Sequence, residues 1–256
     1  MGRNLIYSGV FFDEKYIDLI KVLLRSYQIF NKSSSDNDYL IICNPNFQDK
    51  IQTIFDNLNL NGKIWCLDIK NHFEACWSRL KIFDYPNIHN YSKILYLDTD
   101  IIIASPLDKL FNFKMKEVIY TYDDEIKKIK DRGHGAIIFD KFKKDYDPEQ
   151  LVFSTGIMLF LNGPSIKKLF NDIIGSINNL CPHNIYNLGE AYDQDFIIYH
   201  CVINKMYDIE RINKYCANNQ KTISPDLILN HFCFPICHPE GKLKKMTDFF
   251  STLHIN

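Results

Sequence analysis

The first 67 residues alternate between short apolar segments and longer segments whose apolar residues recur at helical spacing. The predicted strands lie at 4–8, 38–43 and 63–67, and the predicted helices at 16–30 and 47–58. This β-α-β-α-β order is typical of a parallel sheet whose strands are joined by crossover helices. The chain is therefore predicted to adopt an α/β fold.

A further apolar segment, residues 93–97, ends in two carboxylates, Asp98 and Asp100, before the apolar run resumes. Residues i and i+2 of an extended chain point to the same side, so both carboxylates can reach a single point. In open α/β sheets, ligands bind beyond the carboxyl ends of the strands, which is where this pair falls. The pattern favours a divalent metal site, and a strand that simply ends in an acidic turn is the alternative.

The energetics of the pair support the metal. Two like charges held close together at the edge of an apolar core oppose each other's ionisation unless a cation compensates them. Hard oxygen ligands favour Mg²⁺ or Mn²⁺, and two carboxylates leave most of an octahedron open for water or for a substrate diphosphate.

The second half of the chain is less regular. Its segments continue the α/β pattern, with predicted strands at 118–122 and 152–161, and predicted helices at 77–83, at 164–177 and from about 193. Residues 123–150 form a charged stretch too long for a simple connection, which is either a solvated surface excursion or a substrate-facing loop. No repeat or linker divides the chain, so residues 1–256 are expected to form one domain, with halves of about 1–103 and 104–256.

Composition excludes several classes of protein. The 256 residues are 46% hydrophobic, and 30 Lys and Arg balance 31 Asp and Glu, so no basic field marks nucleic acid as the main ligand. No segment reaches the roughly 18 apolar residues of a membrane span, and no secretory signal is recognised, so a cytoplasmic location is expected. The eight cysteines are expected to stay reduced. Cys233, Cys237 and His238 offer an alternative zinc site, although no C-x-x-C pair accompanies them.

Four further segments precede or follow the D-x-D strand, and their order along the chain is informative. They are W-S-R-L-K-I-F at 77–83, F-S-T-G-I-M at 153–158, the pair Asp193-Gln194, and H-P-E-G-K-L-K at 238–244. Together with L-Y-L-D-T-D, this succession resembles glycosyltransferase family 8, which includes glycogenin-like and lipopolysaccharide-galactosyltransferase-like enzymes. The resemblance implies the GT-A fold, a Rossmann-like domain with a mixed, mainly parallel central sheet flanked by helices. It also implies transfer with retention of anomeric configuration.

The resemblance assigns metal and phosphate contacts. It implies that Asp98, Asp100 and His238 bind Mn²⁺, with Mg²⁺ as the other option, and imidazole with two carboxylates suits Mn²⁺. Gly241 would let the backbone approach the diphosphate, and Lys244 would place a point charge on it. Arg79, at an Arg/Lys position of the family, would reach the diphosphate or the sugar.

The resemblance also assigns sugar and nucleotide contacts. Asp193 would bind sugar hydroxyls and Gln194 would lie near the anomeric carbon, although Asp193 is alternatively a helix N-cap. The expected nucleotide-sugar contacts are Ser8, Gly9, Tyr16, Leu97, Thr99 and Ser154. Tyr16 is able to stack on the base, or is alternatively a core residue of its helix.

The chain departs from the family pattern at two positions. Ser154-Thr155-Gly156 stands where the family often has N-S-G, which leaves the donor sugar open, and Lys244 lacks the aromatic residue that commonly follows. The expected function is Mn²⁺-dependent transfer of a hexose from a UDP-sugar, UDP-glucose or UDP-galactose, to an acceptor hydroxyl. The acceptor is expected to be a glycan, a protein or a lipid-linked sugar, and a homodimer is one expected assembly.

Two other functions remain open from the sequence. The sequence D-T-D after an apolar strand is also compatible with haloacid-dehalogenase-type phosphatases, although Asp98 follows three βα units and Ile102 stands where that motif needs Thr or Val. A nucleotide-sugar-binding protein that keeps the fold but has lost turnover is the other alternative.

Overall fold

The computed structural model describes residues 2–31, 36–122, 128–131, 136–142, 146–182, 192–233 and 239–253. The strands are β1 (Arg3–Val10), β2 (Asn37–Cys43), β3 (Lys63–Cys66), β4 (Tyr91–Leu97), β5 (Ile101–Ile103), β6 (Ile119–Tyr122), β7 (Ser154–Leu161), β8 (Tyr207–Asp208), β9 (Cys216–Asn218) and β10 (Leu229–His231). The helices are α1 (Lys15–Asn31), α2 (Gln48–Asn57), α3 (His72–Trp77), α4 (Asp108–Phe111), α5 (Ala136–Phe142), α6 (Pro164–Leu180), α7 (Asp193–Asn204), α8 (Glu210–Asn213) and α9 (Pro239–Thr252).

A seven-stranded sheet forms the centre, with strand order β3-β2-β1-β4-β7-β6-β8. β1 pairs in parallel with β2 and β4, and β2 pairs in parallel with β3, as the β-α-β-α-β pattern predicted. β7 runs antiparallel to both β4 and β6, so the sheet is mixed. The predicted α/β class with a mixed, mainly parallel sheet is confirmed.

The side chains of the sheet pack on both of its faces because successive residues of a strand point to opposite sides. Leu5 and Tyr7 of β1 join the apolar cluster that includes residues of α6 and α7, whereas Ile6 joins the cluster that includes residues of α1 and α2. A parallel strand covered by helices on both sides is apolar over most of its length, which explains the apolar runs at 39–43 in β2 and 94–97 in β4.

A smaller sheet of order β5-β10-β9 lies where the chain resumes after Asp100. β5 is antiparallel to β10, with Ile101 opposite His231, and β10 is parallel to β9. This pairing brings a segment near the end of the chain beside the carboxylates that follow β4.

Two sequence predictions need correction or restriction. Residues 77–83 were expected to form a helix, but α3 ends at Trp77 and Ser78–Asp84 form a 3-10 helix. Of the charged stretch 123–150, only parts lie among the described residues, including α5, so its role stays a prediction. The domain limits also stay a prediction.

Among the described helices, none combines the length and apolar character that crossing a membrane requires.

Substitution of a central core residue tests this packing. Phe160 is fully buried on β7, with its ring centroid 5.2 Å from that of Phe170 and 6.2 Å from that of Phe83. Phe160→Ala leaves a cavity between these rings, so the free energy of unfolding should fall by about 3–5 kcal/mol in urea denaturation. Ile223→Ala, at an exposed position, should change it by less than about 0.5 kcal/mol. Equal effects of the two substitutions would contradict the packing.

Candidate active site

A cavity of about 360 Å³ opens beyond the carboxyl ends of β1 and β4. Parallel strands direct their carboxyl ends to one edge of a sheet, which is where α/β proteins bind ligands. Its lining residues come from the end of β1 and the start of α1, the α3 region, the end of β4 with the D-x-D segment, β7, the start of α7, and α9. They are Gly9, Phe11, Tyr16, His72, Ala75, Cys76, Ser78, Arg79, Tyr96, Asp98, Thr99, Asp100, Thr155, Tyr192, Asp193, Gln194 and Lys242.

Asp98 and Asp100 meet a histidine at this cavity. Asp98, Asp100 and His231 each offer one ligand atom, and these atoms all lie within 4.8 Å of one another. His231 Nε2 is 3.1 Å from Asp100 Oδ1 and 3.9 Å from Asp98 Oδ2. Two carboxylates and an imidazole form a donor set that suits a divalent cation such as Mn²⁺.

The sequence prediction placed His238 in this cluster, but residue 238 lies outside the described residues, and sequence reasoning missed His231. The antiparallel pairing of β5 with β10 places His231 opposite Ile101, the residue after Asp100. The backbone N–H of Phe232 donates to the carbonyl of Asp100 at 2.9 Å and extends this pairing by one residue. The signal in the sequence was a histidine at the end of a short apolar segment, L-I-L-N-H.

A chain of hydrogen bonds behind His231 determines which ring nitrogen carries the proton when the ring is neutral. The Tyr122 hydroxyl lies 2.5 Å from Asn218 Oδ1, which can only accept, so the hydroxyl proton is donated there. The Tyr122 oxygen, 2.7 Å from His231 Nδ1, then accepts the Nδ1 proton. In the neutral ring, the Nε2 lone pair therefore faces Asp98 and Asp100, as a metal ligand requires.

Two further observations fit a bound cation. Asp100 Oδ1 is buried and has no geometrically formed hydrogen bond within the described part of the chain, although His231 Nε2 lies 3.1 Å away. Gly156 leaves the space beside the cluster open, since a Cβ there would lie 2.5 Å from His231 Cε1 and 2.9 Å from Asp98 Oδ2. A buried oxygen without a donor beside a nitrogen lone pair is the arrangement that a cation satisfies.

The charges around Asp100 favour its ionised form. Burial opposes ionisation, but His231 and Lys242 outweigh it and hold the pKa of Asp100 well below its usual range. Lys242 Nζ lies 2.5 Å from Asp100 Oδ2. Burial likewise opposes the charged form of His231, yet Asp100 raises its pKa overall. A cation that binds here would take the place of the imidazole proton.

Arg79 forms the second charged centre of the cavity. The side chain is buried, and its Nε donates to Asp193 Oδ2 at 2.7 Å. Nη1 donates to the Thr155 carbonyl and Nη2 to Thr155 Oγ1, both at 2.8 Å. The guanidinium carbon lies 4.9 Å from the ring centroid of Tyr96, whose hydroxyl donates to Asp98 Oδ1. The guanidinium of Arg79 therefore compensates the charges of both Asp193, at 2.7 Å, and Asp98, at 3.6 Å.

α7 begins at Asp193, and its first two residues face the cavity. The N-cap alternative for Asp193 is wrong, because Tyr192 is the N-cap residue and the Asp193 carboxylate accepts from Arg79 instead. Gln194 Oε1 accepts from both the backbone N–H and the hydroxyl of Thr155. Thr155 therefore connects the start of β7 with the start of α7.

The structure brings some of the remaining predicted contacts to the cavity and not others. Gly9, Tyr16 and Thr99 line it. Tyr16 is also half-buried against the apolar cluster that includes residues of α1, and its stacking on a base stays a prediction. The others lie away from the lining: Ser8 is buried against the Tyr39 hydroxyl, Leu97 is in the core, Ser154 is at the start of β7, and Gly241 and Lys244 are exposed on α9.

Sequence reasoning missed several lining residues. Lys242, Thr155 and Tyr96 line the cavity and lie within the quoted motifs. The sequence analysis instead assigned the ligand contacts to nearby residues, Lys244, Ser154 and Leu97. Cys76 also lines the cavity, and burial, with a contribution from Asp193, raises the pKa of its thiol to about 12. This side chain is consequently protonated at neutral pH and is not poised as a nucleophile.

Solved structures share this fold over most of their length. The galactosyltransferase LgtC, solved with donor and acceptor sugar analogues, is 14% identical with a TM-score of 0.62, over 98% of this chain and 96% of that chain. Glycosyltransferase GlyE of Streptococcus pneumoniae TIGR4 is 16% identical with a TM-score of 0.60, over 99% of this chain and 62% of that chain. Mouse xyloside xylosyltransferase 1 is 13% identical with a TM-score of 0.59, over 91% of this chain and 98% of that chain. The fold is therefore that of the GT-A glycosyltransferases.

The sequence identifies the family within this class. The model of Glycosyl transferase family 8 matches residues 10–234, and the chain belongs to that family. None of the curated proteins compared with the chain by sequence matches it. The match ends before α9, so Lys242 and the rest of that helix lie beyond the matched residues.

The chain of hydrogen bonds behind His231 makes a testable prediction. Tyr122→Phe removes the acceptor for the His231 Nδ1 proton, so the affinity of the protein for Mn²⁺ should fall by about 10- to 100-fold in a calorimetric titration. Tyr120→Phe is the matched control, because its hydroxyl lies on the same strand but accepts from the backbone of Lys116, and its Mn²⁺ affinity should be unchanged. Equal affinities of the two variants would show that this chain of hydrogen bonds does not serve a metal.

Proposed function

We propose that the chain is a Mn²⁺-dependent, retaining glycosyltransferase that moves a hexose, glucose or galactose, from a UDP-sugar to an acceptor hydroxyl. The observation that carries this proposal is the cluster of Asp98, Asp100 and His231 at a cavity that also holds Arg79, Asp193 and Gln194. Family membership supplies the class of reaction. Acidic and basic groups lie side by side here, in an environment suited to a cation and a diphosphate. They are Asp98, Asp100 and Asp193, and His231, Arg79 and Lys242.

Asp98, Asp100 and His231 would hold the cation, with Mg²⁺ as an alternative to Mn²⁺. When bound, the cation neutralises the negative charge that accumulates on the departing diphosphate. The ammonium group of Lys242 adds positive charge on the same side, since it already contacts Asp100 and lines the cavity. We assign to Lys242 the diphosphate contact that the sequence motif suggested for Lys244.

The nucleoside would lie along the wall formed by the end of β1 and the start of α1. Gly9, Phe11 and Tyr16 line this wall, and an aromatic ring can stack on a uracil base. The sugar would lie towards α7. Among the described hydrogen bonds, the Asp193 carboxylate accepts one from Arg79, and it does so through Oδ2. The other oxygen of Asp193 is then available to accept from a sugar hydroxyl.

The transfer step is proposed to occur on one face of the sugar. The bond between the anomeric carbon and the diphosphate oxygen breaks with its electron pair leaving on the diphosphate, and the acceptor oxygen bonds to the same face. The acceptor proton passes to the departing phosphate oxygen. The acceptor is proposed to be a hydroxyl of a glycan, a protein or a lipid-linked sugar. Membership of family 8 argues against the phosphatase alternative, in which Asp98 would be the nucleophile.

Loss of a metal ligand tests the proposed activity. UDP release should be measured from a panel of nucleotide sugars, with and without Mn²⁺, and the wild-type protein should release UDP from a UDP-hexose only with the metal. Asp100→Ala should abolish this release and leave the fold intact, because Asp100 supplies a ligand oxygen. Asp226→Ala, at a surface ion pair, should retain full activity. Binding of UDP with Mn²⁺ but no release from any donor would instead support a non-catalytic binding protein.

The two lysines of α9 give a second test. Lys242 and Lys244 are two positions apart on the helix, so their side chains point about 200° apart, and only Lys242 lines the cavity. Lys242→Ala should weaken UDP binding in the presence of Mn²⁺ by about 10- to 100-fold, because a charge-assisted contact is lost. Lys244→Ala should bind UDP as the wild type does. The opposite ranking would return the diphosphate contact to Lys244.

A further inference from the structure

The side-chain amide of Gln194 is held at its oxygen by a single residue. Gln194 Oε1 lies 3.1 Å from the backbone nitrogen of Thr155 and 2.9 Å from Thr155 Oγ1. Thr155 is buried, with 1% of its surface exposed, so no solvent competes at the Thr155 end of these contacts. Gln194 itself is half-buried and lines the cavity.

The chemistry of the two contacts determines which end of the amide faces the cavity. A backbone N–H can only donate, so the Gln194 atom beside it must be the carbonyl oxygen and not the amide nitrogen. A carbonyl oxygen has two lone pairs, and Thr155 meets both of them. The NH₂ group is the other end of the amide, and within the described residues it makes no hydrogen bond.

Arg79 completes the orientation of the Thr155 hydroxyl. Arg79 Nη2 donates to Thr155 Oγ1 at 2.8 Å, which occupies a lone pair of that oxygen and leaves its proton for Gln194. The chain of donation therefore runs from Arg79 through Thr155 to Gln194. A charged first donor polarises such a chain and strengthens its later bonds.

We propose that Thr155 is a positioning residue for sugar transfer, which fixes Gln194 with its amide oxygen turned away from the bound donor and its NH₂ group turned towards it. Gln194 then donates a hydrogen bond to an oxygen of the nucleotide sugar and does not attack the anomeric carbon through its own oxygen. This inference rests on the proposed function and gives it a mechanistic detail: the attacking atom on the sugar face is the acceptor oxygen.

The kinetic test compares three variants. Thr155→Val keeps the shape and the backbone donor but removes the hydroxyl, so kcat for UDP release should fall at least about fivefold while the donor KM changes less than about threefold. Thr155→Ser keeps the hydroxyl and should restore kcat to within about threefold of the wild type. Thr53→Val is the control for the same chemical change, since the Thr53 hydroxyl donates to the Asp49 carbonyl on α2, outside the cavity, and its kcat should be unchanged.

A second readout requires no turnover. The side-chain NH₂ signals of Gln194, identified by their absence in Gln194→Ala, can be followed in ¹H–¹⁵N correlation spectra of the ligand-free protein. They should shift in Thr155→Val and stay near their wild-type positions in Thr155→Ser. Peptide mapping by mass spectrometry of the wild type incubated with Mn²⁺ and a UDP-hexose, without acceptor, should show no sugar bound covalently to Gln194.

Three results would overturn the proposal. They are a kcat that falls by less than about fivefold in Thr155→Val, an equal loss of kcat in Thr155→Ser at an unchanged unfolding midpoint, and a sugar bound covalently to Gln194 in the wild type. Failure of the proposed function is distinguishable from these results, because it would appear as a wild-type protein that releases UDP from no donor. In that case the NH₂ signals still decide whether Thr155 fixes the amide of Gln194.

Discussion

The pairing of β5 with β10 is the interaction on which the site depends. Asp98 and Asp100 are brought together by the local geometry of one segment, but their charges require a partner from elsewhere in the chain. The antiparallel register that sets His231 opposite Ile101 supplies this partner. β5 is fully buried and is also tied to α1, since the backbone N–H of Ile103 donates to Ser26 Oγ. A fixed position in a low-dielectric setting makes each of these charges matter more than it would in water.

The cavity is organised by charges held in place before any ligand arrives. Arg79 is fixed by Asp193 and Thr155, and its guanidinium lies against the Tyr96 ring. Burial, and next the Asp98 carboxylate, raise the pKa of Tyr96 well above its usual value, so its hydroxyl keeps the proton that it donates to Asp98. Donors and charges that are already in position need no reorganisation when charge develops in a transition state. The same groups explain why a buried arginine is tolerated, because each of its nitrogens has an acceptor.

The local parts of this structure could be predicted from the sequence, and the long-range parts could not. Strand periodicity predicted the parallel sheet and placed Asp98 and Asp100 together, because both depend on neighbours a few residues apart. His231 depends on the register between two three-residue strands, which periodicity does not reveal. The motif H-x-x-G-x-x-K drew attention to His238 and Lys244, whereas helical geometry on α9 turns Lys242 to the cavity. Thr155 lay inside a quoted segment, but its contact with Gln194 requires β7 and α7 to meet.

The central claim is that Asp98, Asp100 and His231 hold one divalent cation beside the nucleotide site. Its most direct test is anomalous diffraction at the manganese edge from crystals of the full chain grown with Mn²⁺ and UDP. The account predicts one anomalous peak within bonding distance of His231 Nε2 and of both carboxylates, with diphosphate oxygens on its open side. A peak that is bound by the carboxylates without His231, or no peak at this cluster while UDP is bound, would contradict it.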